Sequence, residues 1–439
     1  MRARWLLAFD HPGICAQASR VPRGQLAAVG LIVAILIVSV AACGRRPDGE
    51  PKASPTGASP SPTATPAPTP RRVPGHEVYG FVPYWEMDDG IAAHLRTTAL
   101  TTLALFSVTN TSMGAIDTKQ NGYRRITSAV GEQMIREAHE RGVRVELVFS
   151  SFGLERNGRF FEDVALQDAT IASLVGLVRN LRLDGVNVDV ESLDPALVPG
   201  YGAFVGRLRD AVVSADPSHR VSVATTPNVT GAAMAAAAAA AGADRIFLMG
   251  YDYRVAGSAP GASAPLDRRD GEEKDLVWSL DLYEALGVPV ERTLLGLPLY
   301  GMSWPVAGPE LGAPATGRGE VWVLRRNLKI LCDSSIVPVR DEIEVVEFYA
   351  LASDGSASPS PAAPGSAAST SASSGPAGSP DDHSWRAVYV DSPATLARKL
   401  ALANERGLAG AGFWAIGYER GLPAYTDMIA SFAAGEPKR

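Results

Sequence analysis

The segment Leu183-Asp184-Gly185-Val186-Asn187-Val188-Asp189-Val190-Glu191 holds the residues best suited to chemistry in this 439-residue chain. Side chains of an extended strand alternate between faces, so Val186, Val188 and Val190 point one way and Asn187, Asp189 and Glu191 the other. The run reads as a strand buried on both faces, where an ionised carboxylate is costly unless it is paired or used. A buried ion-pair network or a capped strand end is the structural alternative. Carboxyls held in such a place can move protons and offset developing charge.

Those side chains need a scaffold. From residue 76 onward, apolar, β-branched runs at 78–82, 100–106, 143–149, 185–190, 221–224, 245–249, 293–297 and 412–416 alternate with segments of helical period. The helical segments fall at 128–141, 167–181, 201–215, 234–241, 275–286 and 393–406. Alternation of this kind predicts βα units around a parallel sheet, and eight runs predict an α/β fold of the (β/α)8 TIM-barrel type. The valines would then pack on the surrounding helices while the polar row faces the lumen. Glu191 comes last, at the carboxyl end of its strand, where barrel active sites lie. The interval between the seventh and eighth runs is too long for one helix. It predicts a small α+β insertion over 302–391, with strand-like patches at 321–325, 343–349 and 386–390.

The Asp184-to-Glu191 stretch resembles the Asp-Gly-x-Asp-x-Asp-x-Glu signature of glycoside hydrolase family 18, the chitinase-like retaining glycosidases. Met249-Gly250-Tyr251-Asp252-Tyr253 is similar to the family's Met-x-Tyr-Asp segment. Gly296-Leu297-Pro298-Leu299-Tyr300-Gly301 with Trp304, and Gly412-Phe413-Trp414, are similar to its seventh and eighth strand ends. Ser150-Ser151-Phe152-Gly153 loosely resembles its Ser-x-Gly-Gly, with Phe152 in place of the first Gly. The resemblance runs from about Tyr79 to Phe432. In motif it is nearest to the branch of spore-cortex-lytic N-acetylglucosaminidases and chitobiase-like enzymes.

The resemblance implies hydrolysis of β-1,4 bonds beside N-acetylglucosamine with a nucleophile that belongs to the sugar. Glu191 would be the general acid and then base, Asp189 would orient the 2-acetamido group, and Tyr251 would donate to the acetamido oxygen. Asp252 would position the sugar, with Asp184, Asn187 and Met249 also counted as substrate-binding. Trp414 would floor the sugar subsite, and Tyr84, Trp85 and Trp304 are candidates for groove walls, although ordinary packing explains each of these aromatics equally well. Asn187 is a departure, because most of the family has Asp there, and an amide cannot exchange a proton at ordinary pH. The expected partner is chitin, a chito-oligosaccharide or peptidoglycan glycan. A non-catalytic lectin and a display scaffold on the same barrel are the alternatives.

The ends of the chain say where such a domain would work. Residues 26–40 form an apolar run, shorter than the roughly 20 residues that span a bilayer, and end in Val40-Ala41-Ala42-Cys43. This reads as a signal peptide over 1–43 with a lipobox-like end and Cys43 as the lipidated residue; a plain signal anchor is the runner-up. Residues 44–75 are a Pro/Ser/Thr-rich linker leading to a barrel over 76–435, and 353–380 form a second such stretch, expected as a disordered loop. The expected location is the outer face of the cell membrane, lipid-anchored, or outside the cell. Three cysteines leave only Cys332 in a mature chain, expected as a buried small hydrophobe without a disulfide. Six scattered histidines imply no metal, and no cofactor is expected. A net charge of −6 without a basic block argues against nucleic acid, and a monomer is expected.

Overall fold

Thirteen strands organise the described residues, 75–352 and 384–435, of a computed structural model. They are β1 (Glu77–Pro83), β2 (Thr102–Val108), β3 (Arg144–Phe152), β4 (Gly185–Glu191), β5 (Arg220–Thr225), β6 (Arg245–Met249), β7 (Thr293–Pro298), β8 (Tyr300–Val306), β9 (Glu320–Val323), β10 (Val339–Asp341), β11 (Val346–Ala352), β12 (Trp385–Val390) and β13 (Gly410–Trp414). Eight of them close a parallel barrel in the order β1-β13-β7-β6-β5-β4-β3-β2. The other five form an antiparallel sheet, β10-β11-β12-β8-β9, which leaves the barrel after β7 and returns before β13. The fold is a (β/α)8 barrel with an inserted sheet at the place the sequence predicts.

The barrel strands are buried on both faces, which is why they read as near-continuous apolar runs. Helices on the outside are started by side-chain caps: Ser128, Asp163, Asn228, Asp275 and Ser392 each accept a backbone N–H of the first turn. Inside, Phe247 of β6 lies across the lumen and packs edge-on to Phe81, with ring centroids 4.9 Å apart. Two strand glycines make room for it. A Cβ at Gly296 would stand 2.4 Å from the Phe247 ring, and one at Gly412 would stand 2.5 Å from it. Below this layer Arg245 reaches across to the Glu77 carboxylate and closes the amino-terminal end.

Most strand boundaries shift by one to three residues from the sequence reading. β2 begins two residues later than expected, and β13 covers 410–414 rather than 412–416, because Gly410 and Ala411 extend the ladder with β1 and β7. The carboxyl-terminal helix Pro423–Ala434 and the short helix Leu154–Glu162 lay outside the helical segments read from sequence. Cys332 is a correction: it is exposed at the end of the short helix Leu328–Leu331 and is disulfide-bonded, where a buried, unbonded thiol was expected. The expected signal peptide over 1–43, with Cys43, and both Pro/Ser-rich segments lie outside the described residues.

Candidate active site

The alternation read from residues 185–191 is realised in β4. Val186, Val188 and Val190 are buried outward in the core, and Asn187 and Asp189 are buried in the lumen. Asp189 pairs in register with Ser150 of β3 and Ala224 of β5, and Glu191 pairs with Phe152. Glu191 is therefore lifted to the mouth, where it is only partly covered. From β6 the chain turns abruptly: Tyr251 and Asp252 follow the strand end, and Asp252 takes a left-handed backbone at φ 62°. Ser192, directly after Glu191, does the same at φ 62°. Non-glycine residues in this region are strained, and such positions gather at functional sites.

These strand ends surround a pocket of about 510 Å³, lined by Asp189, Glu191, Met249, Tyr251, Asp252 and Trp414 among others. Phe81, Phe106 and Phe152 add aromatic rings to the lining, and Arg268 and Lys274 stand on the loop after β6. Trp414 packs edge-on to Phe106 at 4.7 Å and to Trp85 at 6.3 Å, so the apolar wall continues outward to a half-exposed indole.

Burial dominates the electrostatics. Glu191 is pushed above the ordinary carboxyl range, first by desolvation and then by the charge of Asp252. Asp189 is pushed well above it, by desolvation and then by Glu191. The Tyr251 hydroxyl is likewise held neutral by burial and by the neighbouring carboxylates, Asp189 foremost. Asp252 is raised by burial, opposed by hydrogen bonds from Tyr300 and Ser263. A carboxyl whose pKa is raised holds its proton more firmly, as proton donation to a leaving group requires. Asp189 Oδ1 is buried with no hydrogen-bond partner among the described residues. A buried acceptor left unmet in the protein is a place for a donor on a ligand.

Three residues expected at the site are elsewhere. Asp184 precedes β4 at the amino-terminal end of the barrel, where its carboxylate accepts from the Val145 N–H at 2.7 Å and meets His139 at 2.9 Å. Its place in the signature is structural, tying β4 to β3 away from the pocket. Trp304 is fully buried in the inserted sheet, against Tyr389 at 6.1 Å, and does not face the groove. Asn187 is fully buried beneath the pocket floor and donates to Ser222 at 2.8 Å rather than facing a ligand. Tyr84 packs on Trp85 beside the rim. Sequence reasoning missed Phe106 and Phe152 as lining and Tyr300 as the partner of Asp252. Phe152 stood in the open as the bulky residue where the resembling motif has Gly.

A parallel barrel with a buried carboxylate row ending at its carboxyl mouth, faced by a neutral tyrosine and an indole, defines a (β/α)8 barrel with a candidate acid site. The model of the glycosyl hydrolases family 18 matches residues 77–419, and the chain belongs to that family. An 85-residue segment is 35% identical to mouse chitotriosidase-1; it covers 17% of this chain and 18% of that protein. The spore cortex-lytic enzyme SleL of Bacillus cereus superposes with a TM-score of 0.59 at 15% identity, covering 81% of this chain and 74% of that one. A family 18 chitinase of Cycas revoluta, solved in complex with (GlcNAc)3, superposes with a TM-score of 0.61 at 18% identity over 80% of this chain and 99% of that one. At these identities the two structures establish likeness of fold.

Proposed function

We propose that the protein is a retaining glycosidase that cleaves β-1,4 linkages beside N-acetylglucosamine in chitin or chito-oligosaccharides by substrate-assisted catalysis. One observation carries the reading: Glu191, Asp189 and Tyr251 line one pocket together with Trp414. Glu191 delivers its proton to the glycosidic oxygen as the bond to the anomeric carbon breaks. The acetamido carbonyl oxygen of the same sugar closes on that carbon to give an oxazolinium ion. Asp189 accepts from the acetamido N–H, orienting it and offsetting its positive charge, while Tyr251 donates to the acetamido oxygen. Water then attacks the anomeric carbon from the side the leaving group left, gives its proton to Glu191, and the ring opens with overall retention. Trp414 offers an indole face to the pyranose C–H groups. The test is release of a chromophore from a di- or tri-N-acetylchitooligoside by the wild type and by Glu191→Gln. Equal rates would refute the hydrolase and favour a glycan-binding protein.

Peptidoglycan glycan is the second reading, favoured by Arg268 and Lys274 on the pocket wall. Arg268 is engaged by Asp270 at 2.7 Å, whereas Lys274 is exposed and makes no ion pair among the described residues. A free ammonium at the rim suits a glycan that carries a carboxylate. Lys274→Gln should then slow cleavage of peptidoglycan more than cleavage of chitohexaose. On this account the domain acts as a monomer outside the cell, tethered through lipid on Cys43. An unmodified Cys43 in the intact mature protein by mass spectrometry would refute the tether.

A further inference from the structure

Beneath the pocket floor lies another acid. Glu146 of β3 is 2% exposed, and its Oε2 accepts from the Tyr79 hydroxyl of β1 at 2.7 Å and from Ser222 Oγ of β5 at 2.5 Å. Ser222 Oγ in turn accepts from Asn187 Nδ2 at 2.8 Å. This last bond decides how the Asn187 amide is turned. With its NH₂ committed to Ser222, the amide presents its oxygen as the remaining end. That Oδ1 is buried with no partner among the described residues, and so is Oδ1 of Asp189, two residues on along the same face.

We propose that Glu146 is a positioning residue for the hydrolysis proposed above: acting through Ser222, it fixes the Asn187 amide with its oxygen left for Asp189, and supplies from β3 a buried carboxyl that position 187 lacks. Glu146 and Ser222 form a relay of hydrogen bonds, with the Tyr79 hydroxyl 2.7 Å from Glu146 Oε2 and 3.1 Å from Ser222 Oγ. A carboxyl at Glu146 accepts from Ser222, which leaves the serine oxygen to accept from the amide and not to donate to it. The amide oxygen meets no donor among the described residues, and a proton on Asp189, two residues on along the same face, would answer both unmet acceptors. The resting site thus keeps a proton on Asp189, which the acetamido N–H displaces as a ligand binds.

The charges around Glu146 are accounted for on every side. Arg144 lies two residues before it on β3, Arg220 precedes Ser222 on β5, and Arg245 on β6 is held by Glu77 of β1. The two former arginines favour its ionised form, but burial outweighs them and raises the carboxyl to about 7. Tyr79 is held neutral, first by burial and then by the charge of Glu146.

Two variants separate positioning from mere packing. Glu146→Gln replaces a carboxyl oxygen with an NH₂ that donates to Ser222 Oγ and turns the serine hydrogen toward the amide; Ser222→Ala cuts the relay and keeps Glu146. In each the amide is freed to turn its NH₂ toward Asp189, so Asp189 ionises more easily. Carbon-13 NMR of aspartate-labelled protein should show the Asp189 titration at lower pH in both variants, and in the double variant no lower than in either. With chitohexaose, kcat should fall by about tenfold with little change in KM, and the acidic limb of the rate should move to lower pH. Asn187→Asp in the Glu146→Gln background should recover part of kcat by returning a carboxyl beside Asp189. An Asp189 titration unmoved by Glu146→Gln and Ser222→Ala overturns the proposal. The NMR titration decides it even if the wild type proves inactive on every glycan, an outcome that overturns the hydrolase reading instead.

Discussion

The Tyr300 hydroxyl donates to Asp252 Oδ1, and through this bond the first strand of the inserted sheet holds the acid that follows β6. Ser263 supports the same carboxyl, donating to Oδ1 at 3.5 Å and accepting from the Asp252 N–H at 3.1 Å. The insertion is thus part of the pocket's wiring as well as a wall beside it. Its influence reaches the proton donor because the charge of Asp252 raises Glu191.

Asp252→Asn should therefore lower the pKa of Glu191. A general acid works only while protonated, so the basic limb of kcat/KM should move to lower pH in this variant. Tyr300→Phe should act in the opposite sense on Asp252 itself, which loses a hydrogen bond that favours its charged form. A pH–rate profile for Asp252→Asn that overlays the wild type would contradict the coupling.

The Tyr251 hydroxyl has no hydrogen-bond partner among the described residues, yet its ring is buried at 6.3 Å from Tyr300. Tyr251→Phe should leave thermal stability unchanged. It should lower kcat on chito-oligosaccharides roughly 10²-fold if the hydroxyl stabilises the oxygen that closes on the anomeric carbon. A scaffold that merely displays its surface would be indifferent to this change, and steady-state kinetics distinguishes the two.

Glu146 imposes a pH dependence on stability whose sign is fixed by its raised pKa. Between its ordinary 4.5 and about 7 the folded state binds a proton that the unfolded state has released. Stability conferred by that proton is present below 4.5 and lost as pH rises through 7, in total about 3 kcal/mol. Denaturant titrations at pH 5 and pH 8 should show the wild type losing more stability across this interval than Glu146→Gln. Equal losses would mean that the carboxyl is not desolvated.

Gly412→Ala should destabilise the barrel by about 1–3 kcal/mol. The new methyl would stand 2.5 Å from the Phe247 ring and 2.6 Å from the Tyr79 carbonyl oxygen, and backbone cannot yield as a flexible side chain can. Thermal unfolding measures this directly; an unchanged midpoint would mean that the lumen is looser than Phe247 implies.

Much of this was legible in the chain, and the failures have physical causes. Strand alternation placed Asp189 and Glu191 correctly because period 2 is a local property of extended backbone, independent of what surrounds it. Signature membership misplaced Asp184 and Trp304, since a motif records which residues travel together and not which way they face. Asp184 precedes the strand and caps its far end; Trp304 sits on a strand of the second sheet whose inner face is dry. The Glu146–Ser222–Asn187 relay was hidden for a different reason. Its members lie on three strands separated by 35 or more residues, and only closure of the barrel brings them together. Phe152 could have been found from sequence as a large residue at a strand end where the resembling motif keeps Gly.

Proton-NMR observation of chitohexaose hydrolysis, followed from the first minutes before mutarotation, tests the central claim most directly. The account predicts that the wild type releases a new reducing end as the β-anomer and that Glu191→Gln releases none. Initial appearance of the α-anomer, or turnover by Glu191→Gln at the wild-type rate, would contradict it.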